Sequence, residues 1–216
     1  FMFYKQKSAS QKQKVADVEQ KLLRLQMNPH FFFNALAVIQ GLMDQRDTDK
    51  ASMFLARFSR LMRQTLEYSR EEFISLEEEQ ELLENYIRLQ MLSTGIQFKF
   101  KIVIAENLDA FETLVPPMIA QPFVENAIMH AGLGDMDDSL LIVEFSKIRE
   151  QLKLVISDNG HGIKEKKEDS GHKSLAMQIT KERLELLGQK FKTKLDLKIE
   201  SSEKGTSVEL DLPVFK

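Results

Sequence analysis

The chain has 216 residues, 43% of them hydrophobic, enough to bury a core in one large or two small domains. Its 30 basic and 33 acidic residues nearly cancel, so the total charge gives no sign of a nucleic-acid or acidic-membrane binder. No cysteine is present, which excludes disulfides, thiolate metal sites and cysteine nucleophiles, and no run approaches the roughly 20 apolar residues that span a bilayer.

At the start, Phe1, Met2, Phe3 and Tyr4 are followed by Lys5 and Lys7, the pattern expected where a transmembrane helix leaves the cytoplasmic face. The sticky end of a soluble protein reads the same way. From Val15 the apolar positions Val18, Leu22, Leu25, Phe32, Leu36, Ile39 and Met43 continue one ladder of alternating three and four spacing, broken only by Pro29. That is a heptad seam, and it predicts a long helix paired with its own copy and kinked at Pro29. After a polar turn at 44–49, the stripe Ala51, Phe54, Leu55, Phe58, Leu61, Met62, Thr65 and Leu66 predicts a second helix. The two form a hairpin, and two hairpins side by side bury both stripes as a four-helix bundle.

Ser75 and Glu78 have the spacing of a capping box, opening a helix over about 76–92. Alternation at 97–104 predicts a strand, and Pro116 and Pro117 precede a helix expected at 118–131. Further strands are expected at 140–145, 152–156, 194–199 and 207–212, with one more helix at 174–187. This order predicts an α+β chain whose second part is a sheet with helices on one face. Between Asp158 and Lys173, Asn159, Gly160, Gly162 and Gly171 in a polar setting predict a mobile loop.

Four constellations can carry chemistry. In Asn28-Pro29-His30-Phe31-Phe32-Phe33-Asn34, the seam register leaves His30 pointing away from the dimer contact, where a neutral imidazole can attack phosphorus. Asn34, one turn on, can fix its tautomer. A lone histidine is more often an ordinary surface residue. In Glu125-Asn126-Ala127-Ile128-Met129-His130, Asn126 and His130 share a helix face, the Asn126 amide oxygen can complete a Mg²⁺ shell, and Glu125 can orient or deprotonate a reacting group. Plain helix-surface polarity explains that string equally well. In Asp158-Asn159-Gly160-His161-Gly162-Ile163, a strand-end carboxylate can accept the exocyclic amino group of adenine while the glycines let the backbone approach the ring. Lys204-Gly205-Thr206 can place a backbone amide and a hydroxyl near such a base. These last two also read as simple turns.

Taken in order, NPHFFFN, SLEEEQELLENYI, PPMIAQPFVENAIMHAG, DNGHGI and KGTSVEL resemble the LytS-like family of sensor histidine kinases over nearly the whole chain. The resemblance implies a membrane-proximal end at 1–10, a dimerising phosphotransfer hairpin at 11–72, and at 73–216 an ATP-binding α/β sandwich of the GHKL (Bergerat) type. It implies that His30 is the phosphoacceptor and that Asn126 holds Mg²⁺ beside Glu125 and His130. Asp158 then binds adenine, with Gly160, Gly162 and Ile163 in the first nucleotide box and Gly205 and Thr206 in the last. The loop to Lys173 becomes an ATP lid, with Ser174 and Leu175 opening a helix whose N-terminus faces the phosphates.

The partners so implied are a second copy of the chain and the receiver domain of a response regulator, with no direct nucleic-acid contact. The full-length protein would be anchored in the bacterial inner membrane by a segment preceding residue 1, with the kinase on the cytoplasmic side. Three positions depart from the family pattern: Ala176 replaces a lid glycine, Met129 a lysine beside His130, and Phe32 a leucine. The first two motivate a rival reading as a nucleotide-binding scaffold without catalysis. Another rival is a GHKL ATPase in which Glu125 activates water. A metal-centred enzyme is disfavoured, because His30, His130, His161 and His172 include no pair at helical ligand spacing.

Overall fold

The computed structural model describes residues 29–149, 151–162 and 196–214, with residues 185 and 188. The seam positions from Val15 to Leu25, the loop from Ile163 to Lys173, Ser174, Leu175 and Ala176 lie outside the described residues.

Helix α1 (Pro29–Asp44) and helix α2 (Thr48–Tyr68) form the expected hairpin. The turn between them is a Schellman motif. The Asp47 amide donates to the Leu42 carbonyl and the Arg46 amide to that of Met43, with Arg46 in the left-handed region at φ 59°. Asp47 then caps α2, its carboxylate accepting from the Lys50 amide at 3.2 Å. Along α2, Ala51, Phe54, Leu61 and Thr65 are buried and Phe58 is partly so, the stripe expected for a helix packed on one side.

In α1 the phase of the seam differs from expectation. Leu36 and Met43 are 55% and 61% exposed, as an uncovered seam requires, but Ile39 packs inward with Val38 and Leu42. Phe33, 70% exposed, joins the outer stripe instead. Most α1 side chains are apolar, so several stripes can be drawn along it. The choice falls to the stripe that α2 and the next helix cover, which runs from buried Phe31 and Ala35 to Leu42.

The chain then makes strand β1 (Ile74–Ser75) and helix α3 (Leu76–Thr94). Ser75 and Glu78 form the full capping box: the Glu78 amide donates to Ser75 Oγ at 3.2 Å and the Ser75 amide to Glu78 Oε2 at 2.8 Å. Gly95 ends α3 at φ 72°, the left-handed cap that glycine adopts without strain.

Strand β2 (Lys99–Ile104) is followed by strand β3 (Leu114–Val115), which pairs antiparallel with β1, and by helix α4 (Gln121–His130). Then come strands β4 (Leu140–Ile148), β5 (Gln151–Asp158), β6 (Leu197–Ser202) and β7 (Gly205–Pro213). The sheet order is β2-β4-β5-β7-β6, parallel between β2 and β4 and antiparallel elsewhere. Strands β4, β5 and β7 bury Leu141, Val143, Phe145, Leu152, Leu154, Ile156, Leu210 and Leu212 in one core with α3 and α4. The fold is thus α+β, helices first and a mixed sheet after.

Helix α4 starts three residues later than its sequence suggests. Met118 sits at φ 56°, and its amide, with that of Ala120, turns to the carboxylate of Glu79 at 2.7 and 3.3 Å instead of entering a helix. Glu79 is 1% exposed in α3, so one buried side chain supplies the acceptors that the approach to α4 lacks. Glu79→Ala strands two buried amides, each costing about 1–3 kcal/mol. The expected result is a loss of about 2–5 kcal/mol, read as a lower urea midpoint with an unchanged m-value.

Candidate functional site

The ends of β5, α4 and the β6–β7 hairpin meet at Asp158. Strand β5 carries its buried residues to Ile156 and leaves Asp158 at its last position, half-buried and paired across the sheet with Thr206. Asp158 Oδ1 accepts from the Gly160 amide at 2.9 Å and from the Thr206 amide at 3.2 Å. Among the described residues both bonds fall on one oxygen, so Oδ2 keeps its acceptor capacity there. Burial holds this carboxyl above its ordinary pKa, opposed in part by the two amides, which favour the ionised form.

Three glycines allow this convergence. A Cβ on Gly160 would lie 2.1 Å from the Ala131 carbonyl oxygen, at the C-terminus of α4. One on Gly162, at φ 68°, would lie 2.0 Å from the Ser202 carbonyl, and one on Gly205, at φ 123°, would lie 1.9 Å from the Asp158 carbonyl. No other residue fits where backbone meets backbone so closely. The His161 amide donates to the Ala131 carbonyl at 2.7 Å, which fastens the turn to α4.

The structure therefore brings Asp158, Gly160, Gly162, Gly205 and Thr206 together, with α4 and its Glu125, Asn126 and His130 joined to them through Ala131. On α4, Phe123, Val124, Ala127 and Ile128 are buried, Glu125 and Asn126 are partly exposed, and Met129 and His130 are exposed. His30 stands in the first described turn of α1, its side chain outside the description, and Asn34 is half-buried one turn further on. Ile163, Lys173, Ser174 and Leu175 lie outside the described residues.

Several roles escaped the sequence reading, that of Asn159 among them, since it was read only as a turn residue. Asn159 bridges to the start of β4, its Nδ2 donating to the Asp138 carbonyl at 2.8 Å and its Oδ1 accepting from the Leu140 amide at 2.7 Å. Gly132, at φ 71°, leaves room for the His161 ring, which a Cβ there would meet at 2.5 Å. Its place just past an expected helix end was a usable signal.

Tyr86 gave no signal, because it sits among the apolar residues of α3. It is 3% exposed, its ring lies 5.6 Å from that of Phe31, and its hydroxyl accepts from Gln90 Nε2 at 2.7 Å. Burial, followed by the Glu125 charge, holds this hydroxyl well above its ordinary pKa. One ring contact thus joins the neighbour of His30 to a buried tyrosine of α3.

A family model described as Histidine kinase matches residues 18–98. The sensor protein LytS of Staphylococcus saprophyticus is 35% identical over 205 residues, which cover 92% of this chain and 34% of that protein. LytS of Streptococcus mutans is 30% identical over 220 residues, covering 96% and 36%. The chain spans about a third of the length of these curated relatives. Among solved structures, the histidine kinase domain of a blue-light activated kinase from Erythrobacter litoralis matches with a TM-score of 0.53 at 17% identity, covering 92% of this chain and 96% of that one. A bacterial phosphotransferase matches with a TM-score of 0.55 at 12% identity, covering 89% and 95%. At such identities the likeness concerns the fold.

The burial of Asp158 has a pH signature. Its folded-state pKa lies above the ordinary 3.8, so the folded protein holds this proton more tightly than the unfolded chain. The group's contribution to stability is therefore full below about pH 4 and is lost as pH rises through the folded-state pKa. Asp158→Asn keeps an acceptor oxygen for both amides but does not titrate. The melting temperature of the variant relative to the parent is expected to rise from about pH 4 to about pH 7, and a pH-independent difference would contradict the assignment.

Proposed function

Because this chain belongs to the LytS-like sensor histidine kinases, we propose that it is a kinase core which transfers the γ-phosphoryl group of ATP to its own His30. The observation that carries the reading is the Asp158 carboxylate. It is half-buried, has one oxygen committed to backbone and the other without a partner among the described residues, and lies in a turn from which side chains are excluded by contact. Such a group accepts one amino hydrogen from a flat ring brought against bare backbone, which suits the exocyclic amine of adenine.

On this reading residues 11–72 are the dimerisation and phosphotransfer hairpin and 73–216 the ATP-binding domain. Gly160, Gly162, Gly205 and Thr206 surround the base. The lid expected from Ile163 to Lys173 and the helix expected to open at Ser174 and Leu175 lie outside the described residues. Asn126 is the residue that would hold Mg²⁺, through its amide oxygen, with His130 one turn away on the same face. Magnesium, when bound, neutralises phosphate charge in such sites.

The chemistry required of the chain is then limited. A neutral ring nitrogen of His30 attacks the γ-phosphorus, the bond to the leaving ADP oxygen breaks, and the other ring nitrogen gives up its proton, for which Glu125 is the acceptor. Asn34 fixes the tautomer that leaves the attacking nitrogen unprotonated. Positioning supplies most of the acceleration.

The exposed stripe of Phe33, Leu36 and Met43 on α1 supports a helix that meets a second copy of itself. The phosphate passes onward to an aspartate of a response-regulator receiver domain. We place the full-length protein in the bacterial plasma membrane, its kinase part on the cytoplasmic side.

Two variants test this reading. Incubated with γ-labelled ATP and Mg²⁺, the chain is expected to gain acid-labile, alkali-stable phosphate, and His30→Gln to gain less than about a hundredth as much. Label that persists in His30→Gln refutes the acceptor. ATP bound without any label identifies a nucleotide-binding module, and free phosphate without protein label an ATPase. Asp158→Asn keeps the backbone bonds but points an amide toward the base. Its ATP affinity is expected to fall by about tenfold or more, measured by calorimetry, at near-parental stability.

A further inference from the structure

Side chains alternate faces along a strand, and residues directly opposite on neighbouring strands share a face. The ladders of β5, β7 and β6 therefore set three rows across the sheet: Leu154, Leu210 and Leu197; then Ile156, Val208 and Ile199; then Asp158, Thr206 and Ser201. The first two rows are apolar and belong to the core. The third is wholly polar and lies at the strand ends where Gly160, Gly162 and Gly205 exclude side chains. Along it the Thr206 amide donates to Asp158 Oδ1 at 3.2 Å, and the hydroxyls of Ser201 and Thr206 stand 3.1 Å apart. Gly162 lies against Ser201, whose Oγ a Cβ there would meet at 3.0 Å.

We propose that Ser201 is a positioning residue for base recognition: its hydroxyl donates to Thr206 Oγ1, which directs the Thr206 proton to the ring nitrogen beside the amino group that Asp158 accepts. This rests on the reading of Asp158 as the contact for adenine. Two hydroxyls that share one hydrogen bond use one proton for it. Run from Ser201 to Thr206, the bond fills an acceptor position of Thr206 and leaves that residue's proton for the base. Run the other way, it takes that proton. In adenine the neighbour of the amino-bearing carbon is a nitrogen with a lone pair, so a carboxylate followed along the row by a hydroxyl donor matches this edge. A base with an oxo group and a ring N–H presents the reverse pattern and meets Asp158 oxygen against oxygen. The hairpin turn is closed without Ser201, since the Lys204 amide donates to Ser202 Oγ at 3.2 Å and Ser202 pairs with Gly205.

The test measures, by calorimetry on the full chain, the affinity for ATP and for 1-deaza-ATP, in which carbon replaces that ring nitrogen. The parent is expected to bind 1-deaza-ATP about tenfold more weakly than ATP. Ser201→Ala is expected to lose about fivefold in affinity for ATP and nothing for 1-deaza-ATP, whereas a merely structural role would lower both alike. Thr206→Val removes the hydroxyl that Ser201 directs, and adding Ser201→Ala to it is expected to cost nothing more. Ser201→Thr keeps the donor and is expected to hold the parental preference.

A Ser201→Ala protein that binds ATP as tightly as the parent, or one that loses both nucleotides equally, overturns the positioning role and leaves the Asp158 reading in place. A parent indifferent to the ring nitrogen does the same. A parent that does not bind ATP, or an Asp158→Asn protein that binds it undiminished, overturns the base pocket itself and the positioning role with it. Thermal unfolding separates these results from misfolding, and should Ser201→Ala not fold, Ser201→Cys, close in shape and a poor donor, takes its place.

Discussion

Backbone crowding around Asp158 is the constraint on which the rest of the site depends. Three carbonyl oxygens, those of Ala131, Ser202 and Asp158 itself, lie where the Cβ atoms of Gly160, Gly162 and Gly205 would stand. These contacts join the end of α4, the end of β6 and the end of β5, elements far apart in sequence. Any side chain at the three positions would push these ends apart, because a heavy atom near 2 Å from a carbonyl oxygen cannot be absorbed by a rotamer change. The Asp158 carboxylate completes the junction by accepting from both flanking amides. A burial that disfavours its charge is offset by bonds that need it, and one oxygen is left over among the described residues. A carboxylate held in that way is firm enough to recognise a single hydrogen.

A second buried carboxylate plays the complementary structural part. Glu79 reaches from α3 to the amides of Met118 and Ala120, the stretch that delivers Glu125 and Asn126 to the site. The loop before α4 has no helical acceptors for these amides and is too deep for water. Without Glu79 the chain could not run there in that conformation. The position of α4 is therefore fixed at both ends: by a carboxylate at its start and by the His161 bond to Ala131 at its finish. The side chains between inherit that rigidity.

What the sequence made legible follows the range of the interactions. Ser75 with Glu78, Gly95 after α3 and the alternation of β2 act within a few residues, and each was readable where it stood. Asp158, Gly160, Gly162 and Gly205 were legible as ordered motifs, although each alone resembled a turn. The start of α4 was misplaced because its cause lies 39 residues away in Glu79. Ile39 of the α1 seam turned inward because a helix this rich in apolar residues carries little internal mark of which face its own chain will cover. Tyr86 stayed hidden because its ring obeys the apolar pattern of α3, while the contact that gives it significance, with Phe31, comes from another helix.

The two faces of α1 divide its work. Its inner face is tied to α2 and α3 by Phe31, through aromatic pairs each worth about 0.5–1.5 kcal/mol beyond the area they bury. Together these reach about 1–3 kcal/mol, the size of a typical coupling between distant sites and well below the stability of a domain. A rotation or shift of α1 that separated Phe31 from Tyr86 would therefore lie within reach of a signal without unfolding anything. The outer face, with Phe33, Leu36 and Met43, keeps its apolar surface for another helix, so a change of packing there bears directly on the inner contacts. The residue bonded to His30 is itself one of those inner contacts. If His30 is the phosphoacceptor proposed above, the position of α1 and the presentation of that histidine are linked through the contact of one ring with another.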